Sequence, residues 1–247
     1  MKWFAVIAWS LMFSCGALHA KWNPKSCSSD KNVRLTKCLN DSKFKRLKKV
    51  VKRSIAKSWC TEEKANLLMD LVFIQEPKVC VEIGAFTGST ILPIATTLKY
   101  IKQGQVYAID AWSNSEATKY LIPEDPNKAW WLKVDMEEAY NTYKKRLVTW
   151  QLKPQCKTLR CAAKKAVHRI KKIDFLHLDG DYSEKGSMQD VTLYIPKVRS
   201  GGYILLSNIL MRVKNEFTKL EAFSKLFETC EMVCEIENGN TVLLRKR

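Results

Sequence analysis

The chain has 247 residues, 46% hydrophobic and 27% charged, with only 9 glycines and 7 prolines. That composition supports one well-buried core with an appendage and excludes a low-complexity, collagen-like or disordered chain. A formal net charge of +17 attracts polyanions, whether nucleic acid, an anionic membrane face or acidic substrates, and carries no information about fold.

The N-terminus has the grammar of a targeting segment. Met1-Lys2 is a short basic start, Trp3 to Phe13 is an almost unbroken apolar run, and the small residues around Ala20 suit a signal peptidase. The run is short for a bilayer span. The expectation is a signal peptide over 1–20 and an exported, periplasmic or secreted protein; a retained membrane tether is the alternative. Cleavage removes Cys15 and leaves eight of the 9 cysteines. An even count in an exported chain permits disulfides. Cys27 and Cys38, in the polar N-terminal region, are the expected bridge, whereas Cys80 and Cys234 fall in strand-like runs and read as buried thiols.

Residues 21–75 form a basic N-terminal helical region. Lys43, Lys45, Arg46, Lys48, Lys49, Lys52, Arg53 and Lys57 crowd one stretch. Phe44, Leu47, Val50 or Val51, and Ile55 recur within it at helical spacing. The pattern predicts a basic amphipathic helix whose apolar stripe docks on the main domain. Contact with an anionic membrane surface through residues 43–57 is the alternative, and nucleic acid is a weaker one, because no base-stacking aromatics interleave the charges. A second helix is expected over about 61–75, with Thr61 as its N-cap and Glu62 and Glu63 at the positive end of the dipole.

From about residue 76 to 247 short apolar strands alternate with helical stretches. Strands are expected over about 78–83, 106–109, 156–159, 174–178 and 203–206, with a terminal hairpin of 232–236 and 241–244 turning at Asn238-Gly239-Asn240. The fold class this predicts is α/β, with a Rossmann-like, doubly wound, mostly parallel sheet, an antiparallel C-terminal hairpin and preceding N-terminal helices.

Ligands of such sheets bind at the carboxyl ends of the strands. There Glu82-Ile83-Gly84-Ala85-Phe86-Thr87-Gly88 places two glycines between strand and helix, and Asp110 ends the next strand. Glycine permits a sharp turn and a close approach, while a strand-end carboxylate can accept both hydroxyls of a ribose. Together they point to an adenosine ligand.

These segments, with Ala108-Ile109-Asp110-Ala111-Trp112, Leu178-Asp179-Gly180-Asp181-Tyr182 and Gly201-Gly202-Tyr203 through Ser207-Asn208, resemble the class I S-adenosylmethionine-dependent methyltransferases, and within them the macrocin-type O-methyltransferase group. The resemblance implies that Glu82 and Gly84 line the cofactor's methionine end and that Asp110 holds its ribose, with Gly88 allowing the cofactor's close approach at the start of the helix. It sets Trp112, Cys161 and Ala162 beside the adenine, and Asp179 and Asp181 toward the reaction centre. It also implies a magnesium ion on Asp179 and two acidic or amide residues after the fifth strand. Here that pair is Ser207-Asn208, so one negative charge is missing from a site for a hard cation. Either the metal binds weakly through Asp179 and Asn208, or the protein works without one.

His177, two residues before Asp179, is a candidate general base or a core histidine. Asp190, with Gln189 on the following helix, reads as structural. The aromatics Tyr120, Trp130, Trp131, Tyr140 and Tyr143 either wall a pocket or pack a core. The functional expectation is methyl transfer to an oxygen of a small hydroxylated acceptor; the alternative is a turnover-dead methyltransferase-like module whose basic surface binds membrane or nucleic acid. The cofactor is made in the cytosol, so export, if it occurs, raises the question of supply. Acceptor identity and oligomeric state are not legible in the sequence.

Overall fold

The computed structural model describes residues 22–24 and 32–247. The expected signal peptide over 1–20, and Cys27, lie outside the described residues.

Among the described residues three α-helices precede the sheet: α1 (Asn32–Asn40), α2 (Ser42–Ile55) and α3 (Glu62–Gln75). The side chain of Asp41 caps α2 by accepting from the Phe44 amide, and Thr61 caps α3 through the Lys64 amide, as the acidic first turn anticipates. Phe44, Val51 and Ile55 are buried on one side of α2, with Phe44 against the rings of Phe73 and Tyr100 at 4.5 and 5.4 Å. Val50 stays 48% exposed, which settles the choice between the two valines. Two of the basic residues on this helix are spent on its neighbour: Lys48 pairs with Asp70 at 2.7 Å and Lys52 with Glu62 at 2.9 Å. The stripe therefore docks on the domain. α3 is buried along nearly its whole length, as a helix sandwiched between α2 and the rest of the layer must be.

The sheet follows. Its strands are β1 (Val79–Ile83), β2 (Gln105–Asp110), β3 (Cys156–Arg160), β4 (Ile173–Leu178), β5 (Val198–Ser207), β6 (Cys230–Ile236) and β7 (Thr241–Lys246). Their spatial order is 3-2-1-4-5-7-6, with β1 to β5 parallel and β7 antiparallel to both β5 and β6. Helices α4 (Ile91–Ile101), α5 (Asn114–Ala117), α6 (Pro126–Lys133), α7 (Met136–Thr149), α8 (Ala163–Ala166), α9 (Glu184–Tyr194) and α10 (Leu220–Phe227) complete the crossovers. A separate short ribbon pairs Arg212–Val213 with Glu216–Phe217.

Side-chain alternation along the strands divides the interior in two. Cys80, Phe175, Tyr203 and Leu205 face a core shared with α1 to α4 and α7; Val81, Leu176, Ile204 and Leu206 face one shared with α8 to α10. Apolar residues on both faces are what a sheet covered by helices on each side requires.

β5 starts at Val198, five residues earlier than its apolar run suggests, because the chain already pairs with β4 before the bend at Gly201. The hairpin turn carries Glu237, Asn238 and Gly239 at positive φ, the conformation that such a turn needs. No cysteine bridge forms among the described residues: Cys38 is a buried thiol that donates to Asp70 Oδ1 at 3.6 Å, its expected partner Cys27 lying outside the described residues, and Cys80 and Cys234 are buried thiols as anticipated.

Candidate functional site

The carboxyl ends of β1, β2 and β4 open into one cleft of about 1140 Å³, counted out to the surrounding solvent.

Its base is formed by the turn after β1. Gly84 stands at φ +90°, and a Cβ there would sit 2.5 Å from the Asp179 carbonyl oxygen. The glycine is thus demanded by the backbone of the β4 turn, rather than by a ligand. Gly88, at φ +75°, would put a Cβ 2.7 Å from the Tyr143 ring, so its role is to admit that side chain. Gly84 N–H donates to the Ile109 carbonyl at 2.9 Å, which locks the tips of β1 and β2 side by side.

Asp110 ties the two turns together. Its Oδ2 accepts from the Phe86 amide at 2.9 Å and its Oδ1 from the Trp112 amide at 2.7 Å. Burial raises the pKa of this carboxyl, while the two N–H bonds pull it back. Each oxygen keeps a lone pair for a further donor. The Trp112 indole in turn donates to the Phe86 carbonyl at 2.8 Å. Trp112 is buried against Tyr140 and Tyr143 at 4.7 and 5.2 Å, so it holds the loop from behind.

Three carboxylates edge the far side of the cleft. Asp179 and Asp181 follow β4, and Asp190 reaches in from α9. Asp181 Oδ1 accepts from the Ser183 amide at 2.8 Å and from its hydroxyl at 2.6 Å, and its carboxyl lies over Gly186, where any Cβ would collide with it. Burial, and then the charge of Asp181, push the Asp190 carboxyl up to about 7. Sequence reasoning set Asp190 aside as structural; its helical position two turns into α9 gives no hint that the side chain returns to the cleft. Trp59, Phe86, Tyr120, Trp131 and Tyr182 form an aromatic wall, with Trp59 stacked on Phe86 at 5.0 Å. Of the central aromatics, Tyr120 and Trp131 thus line the cleft while Tyr140 and Tyr143 pack behind it.

The structure therefore gathers Gly84, Asp110, Ala162, Asp179 and Asp181 around one space. Glu82, Gly88, Trp112, Cys161, His177 and Asn208 lie outside its lining. Glu82 and His177 are fully buried on the α1–α4 side of the sheet. Glu82 accepts from the Thr90 hydroxyl, and its Oε2 stands 3.4 Å from His177 Nδ1. His177 Nε2 shares a hydrogen bond with Ser207 Oγ at 3.0 Å, and Thr241 donates to the same oxygen at 3.5 Å. One polar row thus crosses β1, β4, β5 and β7 beneath the cleft.

That row decides the fit of a metal. Ser207 Oγ is buried and turned toward His177, and the Asn208 amide donates an N–H to Asp179 Oδ1 at 2.6 Å, where a ligand would have to present an oxygen. Among the described residues no group of three or more His, Cys, Asp and Glu is placed to hold a metal ion. The residues present do not fit a magnesium site. They do fit an adenosyl group, with a side-chain-free turn beside an ionisable carboxyl that still has accepting capacity.

Comparison with known proteins agrees with this geometry. A family model described as a methyltransferase domain matches residues 81–209, and no curated protein sequence matches. The fold is similar to an O-methyltransferase from Bacillus cereus in complex with SAH, at TM-score 0.53 and 13% identity, covering 91% of this chain and 100% of that one. It is similar also to a Podospora anserina methyltransferase bound to SAH, at TM-score 0.56 and 10% identity over 89% and 97% of the two chains. The O-methyltransferase TomG from Streptomyces achromogenes, in complex with SAM, gives TM-score 0.54 and 12% identity over 91% and 99%. Likeness at these identities is one of fold. The family model, which spans more than half of the sequence, carries the assignment: this chain belongs to the methyltransferase-domain family.

Proposed function

We propose that the protein transfers a methyl group from S-adenosylmethionine to an oxygen of a small hydroxylated acceptor. The observation that carries this reading is the joint placement of Gly84, Asp110 and the Asp179–Asp181–Asp190 edge around one cleft. Asp110 accepts the ribose hydroxyls with its remaining lone pairs, and Ala162 borders the adenine. Asp179 and Asp181 face the methionine end. When bound, S-adenosylmethionine supplies a methyl group on a sulfonium, which is already a good leaving group. The chain then has to align the acceptor, exclude water and take a proton.

For the proton, Asp190 has a carboxyl matched to neutral pH, where a general base works best. The aromatic wall from Trp59 to Tyr182 suits a flat or ring-shaped acceptor lying across the cleft, an aromatic ring or a sugar of the macrocin type. The docked α2 stripe and the family match favour this enzyme over a turnover-dead module bound to membrane or nucleic acid. We read residues 1–20 as an export leader on the strength of their basic start and apolar run; N-terminal sequencing of the mature protein tests it, and an intact Met1 refutes it.

The activity test is transfer of radiolabelled methyl from S-adenosylmethionine to a panel of phenolic and sugar acceptors. Label should appear in at least one acceptor, and Asp190→Asn should slow it by about 10²-fold or more. A chain that binds S-adenosylhomocysteine but labels no hydroxylated acceptor would refute the enzyme reading.

A further inference from the structure

Two buried lysines interact with the acidic edge of the cleft. Lys219, in the turn before α10, is 1% exposed, although a buried ammonium is costly unless compensated. Its Nζ donates to the Ser207 carbonyl at 3.0 Å and lies 5.4 Å from the centre of the Tyr182 ring. Burial, and to a lesser degree the charge of Lys64, disfavour its charged form, while Asp179, Asp181 and Asp190 draw it back. Lys64, on the first turn of α3 and 3% exposed, pairs with Glu237 at 3.1 Å and is drawn in the same way by Asp179. His177 Nε2 stands 3.8 Å from Asp179 Oδ2, and the Asn208 amide occupies Oδ1. The lysines drawn by these carboxylates thus come from α3 and from the turn before α10, while His177 and the Asn208 amide sit against Asp179 itself.

The place is informative. Ser207 ends β5 and Asp179 follows β4, and these two strand ends are where the resemblance to metal-dependent methyltransferases puts a magnesium ion. Here the serine hydroxyl is turned away, and a lysine ammonium is bonded to the carbonyl of that same residue. An ammonium held there is a protein-borne charge that neutralises carboxylates without a coordination shell.

We infer that Lys219, with Lys64 behind it, is the resident counter-ion of this site and takes the charge-neutralising place of the divalent cation, so that the chain works without a metal. Lys219 does not line the cleft. It is a positioning residue: it acts through Asp179 and Asp181 and touches neither acceptor nor cofactor. The location of the reacting groups rests on the proposed function; the absence of a metal requirement does not.

Two measurements separate these. In the first, the wild-type chain is titrated with Mn²⁺ and the free ion is followed by electron paramagnetic resonance. No stoichiometric binding is expected. One Mn²⁺ per chain, lost in Asp179→Asn, overturns the inference whatever the activity. In the second, S-adenosylhomocysteine binding is followed calorimetrically against pH for wild type, Lys219→Met and Lys219→Arg, with circular dichroism to confirm folding. Chelator should leave the wild-type profile in place. Lys219→Met should move its acid limb up by about one pH unit, a roughly tenfold gain in proton affinity of the carboxylates, and Lys219→Arg should restore most of it. A folded Lys219→Met with the wild-type profile overturns the inference. If Lys219→Met does not fold, the Mn²⁺ titration decides alone. If wild type binds no S-adenosylhomocysteine at all, the proposed function falls, while the Mn²⁺ result still stands or fails by itself.

Discussion

Replacing Asp190 with Asn removes a carboxyl whose ionisation the fold opposes. Its folded pKa, about 7, lies above the ordinary value of 3.8, for reasons of burial and of the neighbouring Asp181 charge. A raised pKa means that the stability this group contributes is fully present below pH 3.8 and is lost as pH rises through about 7. Each pH unit in that window costs about 1.4 kcal/mol, so the step from pH 5 to pH 7 is worth at most about 3 kcal/mol. Water in the open cleft screens part of it, which leaves about 1–3 kcal/mol. Asn keeps the shape and carries no charge, so it escapes the penalty. For a chain of this size the variant should gain about 3–10 °C in Tm on the wild type as pH goes from 5 to 8. The assay is thermal unfolding by circular dichroism at several pH values. A Tm difference that does not change with pH would refute the reasoning. The variant should also be the slower enzyme, because the strain that destabilises the carboxylate is what makes it a base near neutrality.

Two further expectations follow from packing. Gly84→Ala should destabilise the fold by more than about 2 kcal/mol, combining about 1–2 for a side chain at positive φ with overpacking against the Asp179 carbonyl; chemical denaturation measures it, and a change under about 0.5 kcal/mol would contradict the close approach. Burial pushes the Cys38, Cys60 and Cys156 thiols up to about 12 and raises Cys80 as well. These four should resist Ellman's reagent in the native state and react in guanidinium, and rapid native labelling of any of them, mapped by peptide mass, would show that its surroundings are more open than described.

The strand tips were legible because apolar runs that stop at glycine or aspartate obey two simple rules, burial on both faces and ligands at carboxyl ends. Gly84, Asp110 and Asp179 follow from those rules, and so does the order of the elements. Glu82 shows the limit. It sits two residues before Gly84, and only register shows that it lies beside His177 of the neighbouring β4, within the sheet, and not in the cleft beyond it. Gly88 is similar, since nothing local reveals that Tyr143 of α7 will press on it. Lys64 reads as a solvated first-turn lysine, yet the hairpin turn 173 residues later brings Glu237 onto it. Lys219 and Trp59 were missed for the same reason: their partners are distant in sequence and meet only when the sheet has formed.

The most direct test of the adenosyl cradle is calorimetric titration of the folded chain with S-adenosylhomocysteine, wild type against Asp110→Asn. The account predicts one site per wild-type chain and a loss of about 10²-fold or more in the variant, the worth of two hydrogen bonds to a charged acceptor. Equal affinity in the two proteins, or no binding to the wild type, would contradict it.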